Sequence, residues 1–260
     1  MMIIADTHVH FYQDYQLGVF RRIAARMEKT ADGAGHANIL CMAERLDCHW
    51  FQDLKNGRLD LPADYSVKSL PSDPAAVVLT VGADCRLFIL AGRQIVTFER
   101  LEILALSCDG EFRNGASAAD TIEEILKRGG VPVLAWAPGK WMFRRGDVVA
   151  ELIRSFTPER LLLCDPAIRP ALFREPSLMR LARSKGLKVI CGSDPLPLHG
   201  EEGLIGTWCS TIEGNFDASQ PAKSMSSLLL AGSNPVHQAG RRCGLFTALL
   251  RLASHRIRGK

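Results

Sequence analysis

The sequence has 8 cysteines, but no two of them form a Cys-x-x-Cys pair. Several lie inside short apolar runs, such as residues 39–42 and 190–191. In such runs cysteine behaves as a small buried hydrophobic residue. The pattern therefore argues against a disulfide scaffold and predicts a protein of the reducing cytoplasm.

Long hydrophobic runs are also missing. No apolar run approaches the roughly 20 residues that a membrane-spanning helix needs. The apolar start, residues 1–5, is short, lacks a basic residue and meets Asp6 at once, so it does not resemble a signal peptide. We therefore expect no membrane partner.

The chain carries no strong excess of one charge. Its formal net charge is +4, and the charges are spread along the chain, so a nucleic-acid partner is not indicated. One local excess of Arg and Lys lies in residues 241–260, among several leucines. We interpret it as an amphipathic terminal helix with a solvated basic face; an anion-binding or nucleic-acid-binding tail is the alternative.

Short β-prone runs alternate with helical patterns along most of the 260 residues. A series of β-branched blocks around residues 75–107 interrupts this order and predicts a β-meander. From about residue 201 we expect mainly helix. No linker rich in Pro, Gly or Ser divides the chain, so residues 1–260 are predicted to form one α/β domain, either a β/α barrel or a doubly wound sheet.

Polar residues follow the predicted strands, where α/β barrels carry their functional groups. The first strand delivers His8 and His10, together with Asp6, to one face. Imidazoles combined with carboxylates suit Zn²⁺, Mn²⁺ or Fe, and Asp194 offers a late carboxylate. The alternative is that the two histidines are ordinary polar residues at the end of a strand.

Other candidates come from the ends of later strands. Glu44 and Glu102 are further carboxylates, and Lys140, Arg169 and His199 could contact an anionic substrate. Three of them also have a simpler interpretation. Glu44 and the adjacent arginine could form an internal ion pair, Lys140 could be solvated at the start of a helix, and His199 could belong to a solvated loop.

Four stretches in order resemble the polymerase and histidinol phosphatase (PHP) superfamily and the related amidohydrolases. They are DTHVH in the first strand, AGRQIVTFERLEILAL in the meander, GGVPVLAWAPGKW, and CGSDPLPL near residue 194. The resemblance implies a distorted β/α barrel of PHP/TIM type, with about seven strands and the meander as an insertion. It also implies a metal-dependent hydrolase.

The sequence departs from the PHP pattern at the positions where that family places metal ligands. Gln94, Glu102, Trp136 and Leu196 stand where the family has a glutamate and three histidines, and 43–45 replaces its Thr-Asp-His. A three-metal site cannot be built from these residues. The resemblance instead implies a reduced site for one divalent ion.

In that reduced site His8, His10 and Asp194 are predicted ligands, and Glu102 or Glu44 would complete the shell or act as a general base. Lys140 or Arg169 would face the substrate. Our leading hypothesis is a phosphoesterase that acts on a small anionic molecule. The alternatives are an amidohydrolase-like enzyme cleaving C–N or C–O bonds, and a non-catalytic binding or regulatory module that has lost its metal.

Overall fold

The computed structural model describes residues 1–30, 36–83, 85–232 and 234–258, with side chains through residue 255. Twelve strands were assigned in these residues: β1 Met2–Val9, β2 His36–Met42, β3 Tyr65–Ser69, β4 Ala76–Val81, β5 Cys85–Leu90, β6 Gly92–Val96, β7 Glu102–Leu106, β8 Val131–Ala135, β9 Leu162–Pro166, β10 Val189–Gly192, β11 Trp208–Glu213 and β12 Val236–Gly240. The helices are α1 Phe20–Thr30, α2 Trp50–Lys55, α3 Ala118–Lys127, α4 Arg144–Ser155, α5 Ser177–Ser184, α6 Pro221–Leu230 and α7 Leu245–Arg258.

The strands form two mixed sheets. The seven-stranded sheet has the order β12-β11-β1-β2-β5-β4-β3, and the five-stranded sheet has the order β10-β9-β8-β7-β6. The pairs β1–β2, β2–β5, β8–β9 and β9–β10 are parallel, and the remaining pairs are antiparallel. The protein is therefore an α/β protein.

The predicted PHP/TIM-type barrel is wrong, because the strands of the described residues do not close into a barrel. After β2 the first sheet continues into β5, which is parallel to β2, and then into β4 and β3, which are added antiparallel. The second sheet lies outside this ladder. Only an isolated bridge between Glu44 and Arg93 joins β6 to the chain that follows β2. At the opposite edge, β10 packs against β1 without a strand ladder.

Two glycines permit the close approach of the two sheets where β10 meets β1 and where β6 meets the end of β2. We call this line of contact the seam. A Cβ atom at Gly192 would lie 2.3 Å from the His8 Cβ, and one at Gly92 would lie 2.1 Å from the Met42 carbonyl oxygen. Both distances are far below van der Waals contact, so any side chain at either position would push the sheets apart. The seam therefore depends on these two residues having none.

The predicted meander is present as four strands, but it is not one sheet. β4 and β5 form an antiparallel hairpin in the first sheet, whereas β6 and β7 form another in the second. The segment from residue 201, which we expected to be mainly helical, contains α6 and α7 but also the strands β11 and β12, which pair antiparallel beside β1. Residues 233, 259 and 260 of that segment lie outside the described part.

Helix α1 shows how local sequence decides packing. Phe20, Ile23, Ala24 and Met27 are buried and fall on one helical face, as their spacing predicts. They pack with Ile4 and Leu40 on one side of the seven-stranded sheet. No helix among the described residues has both the length and the apolar character to cross a bilayer.

Candidate metal centre

Three potential ligand atoms converge where β1 ends. The Nε2 atoms of His8 and His10 lie 3.0 Å apart, and each lies 3.5 Å from Oδ1 of Asp194. Both histidines are buried, and the aspartate follows β10 by two residues. Within the described residues, this is the group of His, Cys, Asp or Glu side chains that could hold a metal ion.

The spacing of these atoms can be compared with that of a tetrahedral site. Ligand atoms bonded to an ion at about 2.0–2.2 Å lie about 3.3–3.6 Å apart in a tetrahedron. The two distances to Asp194 fall in this range, and the separation of the imidazoles is slightly shorter. The three side chains therefore fit one small divalent ion that keeps further positions open.

Asp194 occupies an unusual backbone conformation. Its φ is 47°, in the left-handed region that non-glycine residues seldom adopt, although aspartate tolerates it better than most. The conformation is held at both ends, because the Asp194 N–H donates to the His8 carbonyl at 2.9 Å and Arg251 donates to the Asp194 carbonyl at 3.1 Å. Such enforced conformations cluster at functional sites.

Electrostatics within the cluster favour an ionised carboxylate. Burial by itself raises the pKa of Asp194, but the adjacent imidazoles of His8 and His10 outweigh it and hold that pKa well below its ordinary range. Burial lowers the pKa of His8, partly opposed by the charge of Asp194. A neutral imidazole beside a carboxylate is the protonation state in which both can bind a metal ion.

Asp6 lies outside the cluster, although we expected it to share a face with the two histidines. A register shift in the β1–β2 pairing lies between Asp6 and Val9 and breaks the simple alternation. The Asp6 carboxylate instead accepts hydrogen bonds from the backbone N–H groups of Ser193 and Gly206, both at 2.8 Å. It thus ties β1 to the segment that carries Asp194, and burial raises its pKa to about 6.

A line of polar side chains leads from His8 toward the surface. Gln94 Oε1 lies 3.3 Å from His8 Nε2, and the Gln94 amide donates to Glu102 at 3.4 Å. Glu102 in turn forms an ion pair with Lys140, whose side chain is 30% exposed. The structure thus brings the predicted residues Glu102 and Lys140 together one step from the histidines, with Gln94 between them.

Glu44 lies in a separate ion pair. Its carboxylate is 3.1 Å from Arg93 Nη1 and accepts a hydrogen bond of 2.6 Å from the Phe51 N–H. The partner is thus Arg93, and not the adjacent Arg45 that the sequence suggested. Burial raises the pKa of Glu44 to about 7, although the hydrogen bond and Arg93 both oppose this shift. No hydrogen bond or ion pair connects Glu44 with the histidines in the described residues.

The other two predicted substrate contacts lie in different surroundings. Arg169 is buried, pairs with Asp165 through two nitrogens, and donates to the Phe173 carbonyl at 2.8 Å. It holds the loop after β9, so its donors are largely occupied. His199 is exposed in the loop before the short helical turn Glu201–Leu204.

Sequence reasoning missed the support that surrounds the cluster. The basic C-terminal stretch predicts a solvated Arg251, yet this side chain is buried and donates to Glu201 at 2.6–3.0 Å as well as to the Asp194 carbonyl. Tyr12, whose ring stacks on His10, was also not considered. A buried arginine opposite a distant glutamate leaves no local sequence pattern, whereas Tyr12 follows the His-x-His motif directly.

No family model matches this sequence, and no curated protein matches it. Solved structures do. The fold is similar to that of PsfC from Pseudomonas syringae, with a TM-score of 0.61 and 16% identity over 98% of this chain and 97% of PsfC. It is also similar to the lesion-specific endonuclease Q from Pyrococcus furiosus, with a TM-score of 0.52 and 13% identity.

A second endonuclease Q structure, in complex with a 27-mer duplex substrate bearing an abasic lesion, gives a TM-score of 0.55 and 11% identity. This chain spans only 59–60% of the endonuclease Q chains. A two-domain protein from Bacteroides vulgatus containing a predicted PHP-like metal-dependent phosphoesterase gives a TM-score of 0.47 at 10% identity, too low to support a shared fold by itself. The chain therefore shares the fold of PsfC and of the matched part of endonuclease Q.

Proposed function

We propose that this chain is a metal-dependent hydrolase of phosphate esters that holds one divalent ion between His8, His10 and Asp194. The convergence of the three ligand atoms carries the proposal. The shared fold with an endonuclease, an enzyme class that cleaves phosphodiesters, is consistent with it. The PHP resemblance of the sequence motifs points to the same chemistry.

Two imidazoles and one carboxylate suit Zn²⁺, Mn²⁺ or Fe better than Mg²⁺ or Ca²⁺, which prefer oxygen ligands. When bound, such an ion lowers the pKa of a coordinated water to roughly 7 and polarises a phosphoryl oxygen. The chain itself supplies the orientation. The backbone bond from Asp194 to His8 fixes the carboxylate beside the imidazoles, and the buried position of both histidines limits their motion.

Glu102 is better placed than Glu44 to handle a proton at this site. It is connected to His8 through Gln94, whereas Glu44 is paired with Arg93. Lys140 is the better placed cation for a substrate phosphate, since it is partly exposed and Arg169 is occupied by Asp165. An incoming phosphate would compete with Glu102 for Lys140 and thereby free the Glu102 carboxylate to accept a proton.

Metal analysis of the chain purified without chelator tests the metal centre. We expect stoichiometric metal in the wild type and its loss in the His8→Ala/His10→Ala variant. The matched control is His237→Ala, because His237 is exposed and lies on β12, in a different part of the sheet. Equal metal content in all three proteins would contradict the site.

A substrate panel tests the reaction. Phosphomonoesters, phosphodiesters and a short DNA duplex would be compared with amides and lactones, with each metal in turn. We expect metal-dependent turnover of a phosphate ester, abolished in His8→Ala/His10→Ala. Turnover confined to amides or lactones would instead establish the amidohydrolase-like alternative. A small anionic substrate and a cytoplasmic location remain predictions.

A non-catalytic binding or regulatory module that has lost its metal is the second candidate. Two of the positions at which the PHP resemblance expects a ligand carry Trp136 and Leu196, which cannot bind a metal, and Glu102 is paired with Lys140. If Mn²⁺ and Zn²⁺ give no thermal shift and no member of the panel is turned over, this function is favoured.

A further inference from the structure

Helix α7 exposes an apolar face. Phe246 is 74% exposed, and Leu249 and Leu250 are each more than half exposed. On the opposite side of the helix, Ala248 and Arg251 are buried against the protein. The helix thus turns its small and charged residues inward and its large apolar residues outward, the reverse of the usual arrangement of a surface helix.

The exposed face continues onto the loop that follows β9. The Ala171 N–H donates to the Cys243 carbonyl at 2.9 Å, and the Cys243 N–H donates to the Ala167 carbonyl at 3.1 Å. Arg242 also donates to the Ala171 carbonyl. These bonds hold the start of α7 beside Leu172 and Phe173, which are 79% and 50% exposed. We call these large apolar side chains the α7 patch: Leu172, Phe173, Leu245, Phe246, Leu249 and Leu250.

Basic side chains outnumber acidic ones beside the α7 patch, where Glu175 is paired with Arg183. Residues 241–255 contain Arg241, Arg242 and Arg251 and no Asp or Glu. Arg241 and Arg174 are exposed next to the patch, whereas Arg251 is neutralised by Glu201. A contiguous apolar surface rimmed by cations marks an interaction site, and its partner must offer apolar groups together with negative charge.

We propose that the α7 patch docks on an anionic lipid surface. Leucine and phenylalanine side chains enter the boundary between headgroups and acyl chains, and arginines attract anionic headgroups. A second copy of the chain fits less well, because two such patches would bring arginines of like charge together. Single-stranded nucleic acid also fits less well, because four of the six patch residues are leucines, which offer no ring for base stacking.

The inference is independent of the proposed function, since it uses neither the metal nor the reaction. It also differs from the earlier expectation of no membrane partner, which rested on the lack of a spanning segment. An interfacial helix lies in the plane of the membrane surface and needs no such segment.

Co-sedimentation of the full chain with vesicles tests the proposal. One set of vesicles contains phosphatidylcholine and phosphatidylserine, and the other contains phosphatidylcholine alone. We expect binding to the anionic vesicles, weakened by salt. The Leu249→Ser/Leu250→Ser variant should lose about tenfold or more in vesicle affinity, because it removes apolar groups from the membrane boundary. The matched control Leu249→Met/Leu250→Met should bind like the wild type.

A second variant tests the charge. Arg241→Ser should weaken binding to the anionic vesicles by about fivefold, since one basic residue near such a surface contributes about this factor. Because all substituted side chains are exposed, circular dichroism should be unchanged. Failure of the wild type to bind anionic vesicles would overturn the proposal. So would a dimer, or a complex with a single-stranded oligonucleotide, that Leu249→Ser/Leu250→Ser abolishes while vesicle binding persists.

Discussion

Two kinds of buried polar group lie in this protein at the ends of neighbouring strands, and they are neutralised differently. Asp165–Arg169 and Glu44–Arg93 are ion pairs in which a carboxylate already has its cation. His8, His10 and Asp194 have one carboxylate and two imidazoles that are charged only if protonated. The ion pairs already balance their charge, whereas the cluster of His8, His10 and Asp194 can bind a metal cation from solution.

This difference separates residues that hold the fold from residues that hold a ligand. A buried ion pair stabilises little by itself, but removal of one partner leaves an uncompensated charge. A cluster of metal ligands instead gains free energy when the ion binds. The predictions that follow test this contrast, from the largest expected effect to the smallest.

The largest loss of stability is expected at the ion pair. Arg169→Met should lower the free energy of unfolding by about 3–5 kcal/mol, because it leaves the Asp165 carboxylate buried and unpaired. The double variant Asp165→Leu/Arg169→Met should recover part of this loss. Urea unfolding measures the free energy of unfolding of the single and the double variant. Equal losses in the single and the double variant would show that the pair acts through packing and not through charge.

Metal should stabilise the cluster and leave the ion pairs unaffected. At a free concentration 100 times the dissociation constant, a metal ion that binds only the folded chain adds about 2.7 kcal/mol to the free energy of unfolding. Asp194→Asn should lose most of this gain, and asparagine tolerates the backbone conformation of this position. Asp60→Asn, at an exposed position, is the matched control. Calorimetry with and without Mn²⁺ or Zn²⁺ provides the measurement.

The pair of Glu44 and Arg93 predicts a pH dependence. Burial raises the pKa of Glu44 to about 7, above its ordinary value of 4.5, so the folded state binds the proton more tightly than the unfolded state. Stability from this group is present below pH 4.5 and is lost as the pH rises through 7.

Glu44→Gln should remove this decline between pH 4.5 and 7, although it is expected to destabilise the protein overall by leaving Arg93 unpaired. Urea unfolding at a series of pH values gives the slope of the free energy of unfolding against pH for the wild type and for Glu44→Gln. A wild-type slope that persists in Glu44→Gln would assign the pH dependence to another group.

The smallest effect is expected at Lys140, the outermost of the polar side chains that lead from His8 through Gln94 and Glu102 to the surface. Lys140→Met should raise KM for a phosphate ester about three- to tenfold, the loss of one charge-assisted contact of about 0.7–1.4 kcal/mol. The melting temperature should hardly change, because the pair with Glu102 is partly exposed. Lys185→Met, at an exposed position after α5, is the control. An unchanged KM would remove Lys140 from the substrate site.

Local patterns predicted the parts of the molecule that depend on neighbours in sequence. The buried face of α1 follows from its spacing, and the strands of the meander follow from their β-branched blocks. The meeting of His8 and His10 with Asp194 followed from chain order, because functional residues gather at the carboxyl ends of strands. Their roles as metal ligands remain a prediction.

The rest depended on contacts that sequence does not encode locally. Whether β2 pairs with β5 or with β6 is decided by competition between strand edges, so the split of the meander was not visible. Arg251 meets Glu201 across 50 residues of chain, and Glu44 meets Arg93 across 49. Only the adjacent Arg45 could be recognised as a partner of Glu44 from the sequence, and it was the wrong one.

The seam between the sheets has one further consequence. His8 belongs to the seven-stranded sheet, whereas Asp194 follows the last strand of the five-stranded sheet, and Gly192 brings them together. An ion held by both would cross-link two sheets that, in the described residues, share no strand ladder. With the ion bound, the backbone amides of both sheets should exchange hydrogen in one cooperative opening. Without the ion, the amides of β9 and β10 should exchange through an opening of lower free energy than those of β1.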